Sequence, residues 1–492
     1  MRRTARRTFL RQAAAAALLP FAPDAASANT PTPKIRYNVL SAEGQTMVAK
    51  YARAVKIMKS KPAPDPCSWI FWWYTHAIPM PKSAAIQQVF GSGSSPAKNV
   101  AQQAWWTCQP HQNGQNTDNF LPWHRMYVYF FEKTICAVLN DNSFTLPYWN
   151  YSPGLPASQS GVMPQSFRSP NVPSVASLYV QNRNPGVNTG SPIDAQDPGA
   201  LSATGAMAET TYSPHSPKQG FCNDLDFGLH GNVHGLVGTG TNMGYVPTAA
   251  QDPVFWMHHC NIDRLWASWN KLGNINQNDP NFLKQVFWFA GPDCKAVSMK
   301  VGDVMSISQL NYTYEEFEPG PAQAHVGPSP QLSNLALHAP VATTTVATAS
   351  VVSLGSGPTK VELHATSAVK NQVFDLSLAA PAPDLGRYYL VVRNLQIKSQ
   401  PGVIYNLYLN VPDGASNAVL QAHKAGYLNF FQAMPGMEMD EPTRFVSYDI
   451  TGLVKRLGAS TVSGAITLTV TPSGEPAAGS APVIGSVSIQ RV

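Results

Sequence analysis

The sequence predicts two domains, a mainly α-helical domain followed by an antiparallel β-sandwich. Its 492 residues exceed what one hydrophobic core usually supports. Apolar residues recur at helical spacing in the earlier part of the chain and at every second position near its end. We therefore expect a four-helix bundle with long loops at residues 29–330, a Pro/Ala/Thr-rich linker at 331–352 and the sandwich at 353–492.

Residues 1–28 have the layout of an export signal. Arg6-Arg7-Thr8-Phe9-Leu10 precedes an apolar run from Ala13 to Phe21, and small residues suited to cleavage follow at Ala26-Ser27-Ala28. Paired arginines before a weakly hydrophobic run are typical of twin-arginine signals, which carry folded proteins; an amphipathic surface helix is the alternative. The run is too short to span a bilayer. We expect a periplasmic or secreted protein without stable membrane association.

Composition and charge exclude nucleic acid as a partner but leave the pairing of the cysteines open. The formal net charge is only +6, and no Lys/Arg cluster occurs beyond the N-terminus, so a nucleic-acid footprint is absent. The six cysteines form no Cys-x-x-Cys pair. An oxidising compartment would allow disulfides, but their connectivity stays open. Cys136 and Cys260 lie in apolar helical surroundings and are expected to be buried thiols.

The first helices are predicted from their apolar spacing. Residues Ala42 to Lys61 carry apolar side chains at helical spacing, and prolines follow them. An aromatic run from Trp69 to Tyr74 leads into His76. The segment from Phe120 to Leu139 is apolar nearly all round, with a proline near its start, and this pattern is typical of a helix buried in a bundle.

The later elements differ in character. Pro147 to Phe221 is rich in Pro, Ser, Gly and Asn and predicts a long loop between two helical pairs. Asp252 to Lys271 predicts the last core helix. Period-two alternation then predicts short strands, at Lys360 to His364, Val373 to Leu378, Tyr388 to Arg393, Ile404 to Asn410, Thr443 to Tyr448, Ala465 to Val470 and Val483 to Ile489.

Histidines concentrate in two regions of the helical part. His230 and His234 share one face of a helix, and His259 on a neighbouring helix can complete a three-imidazole site. Imidazole suits copper and zinc alike, so these residues alone leave the metal open. A second set surrounds His124. Because unpaired buried imidazoles are costly, we favour a paired-metal centre over a structural coincidence.

Two motifs carry a resemblance to a known family. Phe120-Leu-Pro-Trp-His124-Arg125 with Glu132, and Asp252-Pro-x-Phe-Trp-x-His-His259-x-x-x-Asp263, resemble the two signatures of type-3 copper proteins: tyrosinases, catechol oxidases and molluscan haemocyanins. This resemblance implies two copper ions per chain, with His124 on the first and His259 on the second. By this resemblance, His258 is the neighbour of the ligand His259 and is not itself a ligand. Asp263 either accepts a hydrogen bond that supports a ligand or forms an ion pair.

The remaining ligands follow from the same resemblance. His230 and His234 join His259 at the second copper. For the first copper, the partners of His124 are by elimination His76 and His111, the only other histidines upstream. Eight residues separate His111 from Phe120, where the family usually has four or five, which indicates a loop insertion. Family members often carry a thioether at the middle ligand, but the cysteine spacing here matches neither known arrangement.

Resemblance extends beyond the copper motifs. Arg36 and Tyr312-Thr-Tyr314 resemble the arginine and tyrosine motif that pair at the ends of the family's catalytic domain. The final strands resemble the C-terminal β-domain of plant-type polyphenol oxidases, which covers the copper site and inserts a side chain. Tyr427 to Met434 is the candidate for that plug, and an ordinary strand and loop is the alternative.

The resemblance implies oxidation of small phenols with O2 as co-substrate. Monophenol hydroxylation together with o-diphenol oxidation to quinones is the first hypothesis. A catechol oxidase acting on o-diphenols alone, or a haemocyanin-like dioxygen carrier, are the alternatives. Asp226 stands where plant-type members have a glutamate that serves as base or holds water. Gly231 replaces a residue that is often Asn in strong monophenolases, and Val246 replaces a bulky gate residue. The oligomeric state stays open.

Overall fold

The computed structural model describes residues 32–108, 117–152, 159–320, 343–366, 386–436, 444–457 and 466–492. The predicted export signal, His111 and the predicted strand from Val373 to Leu378 lie outside these residues. Within the described stretches, the helices are all too short or too polar to cross a lipid bilayer.

The N-terminal part of the chain is helical, as expected. Its helices are α1 (Ala42–Ser60), α2 (Trp69–His76), α3 (Lys82–Phe90), α4 (Pro96–Ala104), α5 (Phe120–Leu139), α6 (Thr204–Ala208), α7 (Gly220–Leu225), α8 (Gly231–Val237), α9 (Val246–Ala249), α10 (Val254–Lys271) and α11 (Pro280–Leu283). A π-helical segment, Asp226–His230, joins α7 to α8. In its described residues before α7, the segment predicted as a long loop contains only short turns of helix.

Large aromatic side chains pack the central helices together. The rings of Phe131 on α5 and Trp256 on α10 stack with centroids 3.4 Å apart. Trp72 on α2 meets the edge of both rings, at 5.4 Å and 6.1 Å. Such rings bury much apolar surface with defined geometry. This packing fixes α2, α5 and α10 as the walls around the histidines.

The two ends of the helical domain are joined as the resemblance implies. Strand β1 (Lys34–Arg36) pairs in parallel with a strand near the end of this domain, Tyr312–Tyr314. The Arg36 guanidinium lies 3.8 Å from the Tyr312 ring centroid and donates to the Tyr314 hydroxyl at 3.1 Å. Between these ends lies the hairpin β2 (Val286–Ala290) and β3 (Ala296–Lys300), so Tyr312–Tyr314 is β4.

The β-domain departs from the predicted sandwich. Its strands are β5 (Thr344–Ser353), β6 (Thr359–Ala365), β7 (Tyr388–Gln396), β8 (Tyr405–Leu409), β9 (Lys424–Leu428), β10 (Phe445–Asp449), β11 (Ile466–Pro472) and β12 (Val483–Arg491). They form one antiparallel sheet in the order β10-β7-β12-β5-β6-β11-β8-β9. The two edge strands approach each other, since the Tyr448 hydroxyl on β10 donates to the Tyr427 carbonyl on β9 at 2.6 Å. The sheet is therefore nearly barrel-shaped rather than two stacked layers.

Strand β5 lies largely in the stretch predicted as linker, residues 331–352. It pairs with β12 along most of its length, so residues 344–352 belong to the sheet. Helices α12 (Asn417–Ala422) and α13 (Thr451–Leu457) complete the described part of this domain.

The structure supplies a disulfide pairing that the sequence left open. Cys67, just before α2, is bonded to Cys294 in the turn between β2 and β3. Cys136 and Cys260 are buried free thiols, as expected. The bridge ties the β2–β3 hairpin to the start of a histidine-bearing helix.

Candidate metal centre

One group of imidazoles gathers where α8 meets α10. His230, His234, His258 and His259 are buried, and each offers a ring nitrogen within 4.8 Å of the others. His230 ends the π-helical segment and His234 lies one turn later on α8, while His258 and His259 come from α10. The structure thus brings together the three histidines predicted to form one metal site, His230, His234 and His259. His258 is a fourth imidazole beside them.

The other group lies between α2 and α5 and holds residues predicted for the first copper; we call it the first imidazole group, and the group where α8 meets α10 the second imidazole group. His76 and His124 are buried here with Cys108, and their potential ligand atoms also lie within 4.8 Å of one another. The Cys108 sulfur is 3.6 Å from His124 Nε2. The other residue predicted for this group, His111, falls outside the described residues, so its placement stays a prediction.

The two groups share one pocket. The His124 and His259 rings stack with centroids 4.3 Å apart and an interplanar angle of 16°. The His76 ring is 5.6 Å from that of His124, and the His230 ring is 5.0 Å from that of His259. Helices α5 and α10 therefore bring the two predicted sites face to face.

Backbone carbonyls orient three of the rings. Nδ1 of His124 lies 2.7 Å from the Phe120 carbonyl oxygen, and Nδ1 of His230 lies 3.0 Å from that of Asp226. Nδ1 of His234 lies 2.7 Å from the carbonyl oxygen of Met243. A neutral ring that donates from Nδ1 has its lone pair on Nε2. These contacts therefore leave Nε2 as the ligand atom of each ring.

The inner ring nitrogens fit a metal. Nε2 of His230, His234 and His259 is buried without a hydrogen-bond partner in the described structure. Burial of such a polar atom costs free energy unless something satisfies it. A metal ion between the helices would do so. Neutral imidazoles suit copper, zinc and related ions, so the residues present fit the predicted pair of copper ions.

Burial favours the neutral form of five of the clustered imidazoles, those of His76, His124, His234, His258 and His259. It lowers the pKa of His76 to about 3, aided by the charge of His230 and opposed by a hydrogen bond to the Val246 backbone. Burial is also the largest cause that lowers the pKa of His124, His234, His258 and His259 well below the usual value, with neighbouring imidazoles adding to it. Metal ligands must be unprotonated, so the pocket holds them in the binding form.

The metal-free protein should lose stability in acid. In the unfolded chain a histidine takes up a proton near pH 6.5, whereas the folded pKa of His258 is depressed. Stability is therefore complete above pH 6.5 and falls below it, by ~1.4 kcal/mol per pH unit for each such histidine. Urea unfolding between pH 7 and pH 5 measures this slope. It should become shallower in His258→Ala and remain unchanged in His364→Ala, at an exposed position; equal slopes in both variants would contradict it.

Two of the three predicted specificity residues lie at the second imidazole group, and one lies at the first. Asp226 is fully buried, with Oδ1 3.1 Å from His230 Nδ1, which is the outer side of that ring. Gly231 follows His230 at the start of α8, where a side chain of the C-terminal domain lies against it. Val246 is buried beside the first group, since its backbone bonds to His76.

Three phenylalanines line the pocket; the sequence did not point to Phe120 or Phe255 as site residues, and it pointed to Phe431 only as part of the candidate plug. Phe120 lies 4.8 Å from the ring of His124 and 4.6 Å from that of His230. Phe255 lies 4.9 Å from His76 and 4.2 Å from His259. The first two belong to the motifs that carried the resemblance, so their positions were a usable signal. The third, Phe431, falls within the predicted plug.

Phe431 comes from the C-terminal domain. Its ring stacks on His234 with centroids 3.8 Å apart and an interplanar angle of 7°. It also meets the His230 ring edge-on at 5.5 Å. The segment from Tyr427 to Met434 therefore reaches the second imidazole group.

A buried carboxylate anchors the helix that carries His259. Asp263, one turn later on α10, accepts from Arg125 Nε at 2.5 Å and from Arg36 Nη1 at 3.2 Å. The hydroxyls of Tyr312 and Tyr314 also donate to it. Burial alone would raise the pKa of Asp263, but the two guanidinium charges outweigh that effect and hold the pKa below its usual value. Of the two roles considered for Asp263, the structure gives it that of ion-pair partner.

A helical domain that buries two facing groups of imidazoles, with ring nitrogens directed inward, defines a dinuclear metalloprotein. Comparisons with known proteins agree. The common central domain of tyrosinase matches residues 67–194 and 179–272, and the polyphenol oxidase middle domain matches residues 276–322. The chain belongs to the tyrosinase and polyphenol oxidase family. Residues 341–492 match a domain family described as of unknown function.

Individual relatives cover the chain in part. A tyrosinase of Hahella sp. (strain CCB-MM4) is 32% identical over 309 residues, which are 57% of this chain and 63% of that protein. Aureusidin synthase of Antirrhinum majus is 28% identical over 302 residues, 55% of this chain and 50% of that protein. The matches thus span between half and two thirds of these relatives.

Solved structures share the whole architecture. Latent apple tyrosinase aligns with a TM-score of 0.57 at 19% identity, covering 94% of this chain and 98% of that chain. A latent aurone synthase aligns with a TM-score of 0.58 at 19% identity, covering 94% and 90%. At this identity the likeness concerns the fold, which includes both the helical domain and the β-domain.

Proposed function

We propose that the protein is a copper-dependent oxidase that uses O2 to hydroxylate monophenols and to oxidise o-diphenols to o-quinones. The observation that carries the proposal is the pair of facing imidazole groups in one buried pocket. Membership of the tyrosinase and polyphenol oxidase family supports copper and phenols as its metal and substrates. The twin-arginine signal would place this activity in the periplasm or outside the cell.

The proposed ligands divide into two sets of three. The first copper is held by His76, His111 and His124, and the second by His230, His234 and His259. We leave His258 out because the family resemblance makes it the tandem neighbour of the ligand His259. Its Nδ1 lies 2.9 Å from the Tyr151 hydroxyl, and its Nε2 is buried without a hydrogen-bond partner in the described structure, as in the three proposed ligands. When bound, the two ions supply two electrons together to O2. The chain holds their geometry and surrounds them with aromatic walls.

Asp226 is the proposed group for phenol deprotonation, through a held water. Its burial one helical turn before His230 supports a role at the second copper. The backbone carbonyl of Asp226, 3.0 Å from His230 Nδ1, orients that ring, because an acceptor beside Nδ1 fixes which nitrogen carries the proton. Hydroxylation of monophenols needs this proton transfer, whereas oxidation of a diphenol depends on it less.

A copper-loaded assay of L-tyrosine against L-DOPA tests the proposal. Turnover of L-tyrosine without added diphenol supports the hydroxylase. Turnover of L-DOPA alone would reduce the function to that of a catechol oxidase. Reversible O2 binding without turnover of either compound would overturn it in favour of a dioxygen carrier. Because the pocket is covered, the assay is run before and after limited proteolysis.

We further propose that the C-terminal β-domain caps the pocket, with Phe431 as the plug. Several polar contacts support this docking. Asn406 Nδ2 donates to Asp197 Oδ1 at 2.7 Å, and the Ser447 backbone N–H donates to Gln219 Oε1 at 3.0 Å. Together with the Phe431 ring on His234, they leave little room for a phenol against the second imidazole group.

Replacing Phe431 by Ala should raise phenol turnover at low substrate concentration by about 10-fold or more. The reason is that substrate binds only the fraction of molecules whose pocket is open, and removal of the ring increases that fraction. The rate is measured on copper-loaded protein, with Val351→Ala as control, at an exposed position of the same domain. Equal rates for the two variants would refute the plug.

A further inference from the structure

Asn429 of the C-terminal domain occupies the space beside Gly231. A Cβ built on Gly231 would lie 2.3 Å from Asn429 Oδ1 and 2.7 Å from its Cγ and Nδ2. Real Cβ atoms do not approach other atoms so closely. The side chain of Asn429 therefore needs a glycine at position 231 when the domain is docked.

The Asn429 carboxamide also donates hydrogen bonds to one residue before His230 in the chain and to one residue after it. Its Nδ2 donates to the Phe227 carbonyl at 2.7 Å and to Asn232 Oδ1 at 2.9 Å. The side chain is only 6% exposed. One amide of the C-terminal domain thus ties together the π-helical segment before His230 and the helix after it.

The close approach continues one turn along α8. A Cβ on Gly235 would lie 3.2 Å from Ile404 Cγ2, another side chain of the C-terminal domain. Position 231 is much the tighter of the two, because its shortest distance is 2.3 Å and the amide there is fixed by hydrogen bonds. Close packing of this kind is sensitive to a single added carbon.

We propose that position 231 is a docking position, at which the carboxamide of Asn429 replaces the side chain that Gly231 lacks. A side chain at 231 and a docked C-terminal domain then exclude each other. The docked C-terminal domain then explains why position 231 is a glycine. The glycine does not by itself argue against hydroxylation of monophenols. The consequence for phenol turnover rests on the proposed function, while the docking itself does not.

Hydrogen exchange of the full chain, with and without copper, tests the docking. In Gly231→Ala the backbone amides of residues 427–433 should exchange at least tenfold faster than in the parent. In the double variant Gly231→Ala/Asn429→Ala, which removes the clash, their protection should return to that of Asn429→Ala. Amides of α10 and β12 should be unchanged throughout, which shows that both domains remain folded.

Asn429→Gln gives a second approach that leaves the catalytic domain unaltered. Its longer side chain pushes the carboxamide towards Gly231, so the same segment should lose protection. Parental protection in Gly231→Ala or in Asn429→Gln would overturn the proposal. So would a loss in Gly231→Ala that the double variant does not recover. Because exchange is measured without substrate, absence of phenol turnover would refute the proposed function and leave the docking result standing.

Discussion

Replacing His259 by Ala should lower the copper content from about two ions per chain to about one and reduce phenol turnover by more than ~100-fold. Loss of a residue that merely supports a ligand already costs ~10- to 100-fold in affinity or activity, and removal of a ligand should cost more. His259 faces both groups, since its ring stacks on His124 and lies 5.0 Å from His230.

The matched control is His258→Ala, one position earlier on the same helix. It should retain both copper ions, because the family resemblance makes His258 the neighbour of the ligand and the Tyr151 hydroxyl already contacts its Nδ1 at 2.9 Å. Copper content by elemental analysis separates the two variants. Retention of two ions in His259→Ala with loss in His258→Ala would show that the assignment of the tandem histidines is reversed.

Replacing Asp263 by Asn should lower the free energy of unfolding by ~3–5 kcal/mol, the cost of breaking a buried ion pair by removal of one partner. The change keeps the side-chain size but leaves Arg36 and Arg125 without the charge of Asp263, although Arg36 retains Glu132 at 2.9 Å. Because Asp263 lies one turn after His259, copper affinity should fall as well.

Chemical denaturation of the metal-free protein measures this loss. Asp293→Asn is the control, because its pairing with Lys295 is an exposed surface contact at 3.6 Å, and such pairs contribute little. A difference between the two variants within experimental error would contradict the anchoring role of Asp263.

Much of the helical domain could be predicted because its signals are local. The apolar spacing after Ala42 predicts a helix to Lys61, and the structure has α1 at Ala42–Ser60. The pairing of Arg36 with Tyr312 and Tyr314 followed from the family resemblance and is confirmed. In each case the prediction rests on a short motif or on the helical spacing of apolar residues within one segment.

The parts that sequence could not supply depend on contacts between distant segments. Strand β5 consists of Thr, Ala, Ser and Val, a composition that resembles a linker, and its pairing with β12 and β6 makes it a strand. A stacked pair of sheets and a nearly closed single sheet share the same alternation, so the sandwich was the wrong choice between them. Likewise, nothing local reveals that Asn429 lies against Gly231, since 198 positions separate them.

The central claim is a dinuclear copper centre built from six histidines. A crystal structure of the copper-loaded protein, with anomalous diffraction recorded on both sides of the copper absorption edge, tests it most directly. Two anomalous peaks are expected in the shared pocket, one bound by His76, His111 and His124 and the other by His230, His234 and His259. A single peak, or a peak bound by His258 in place of His259, would contradict it.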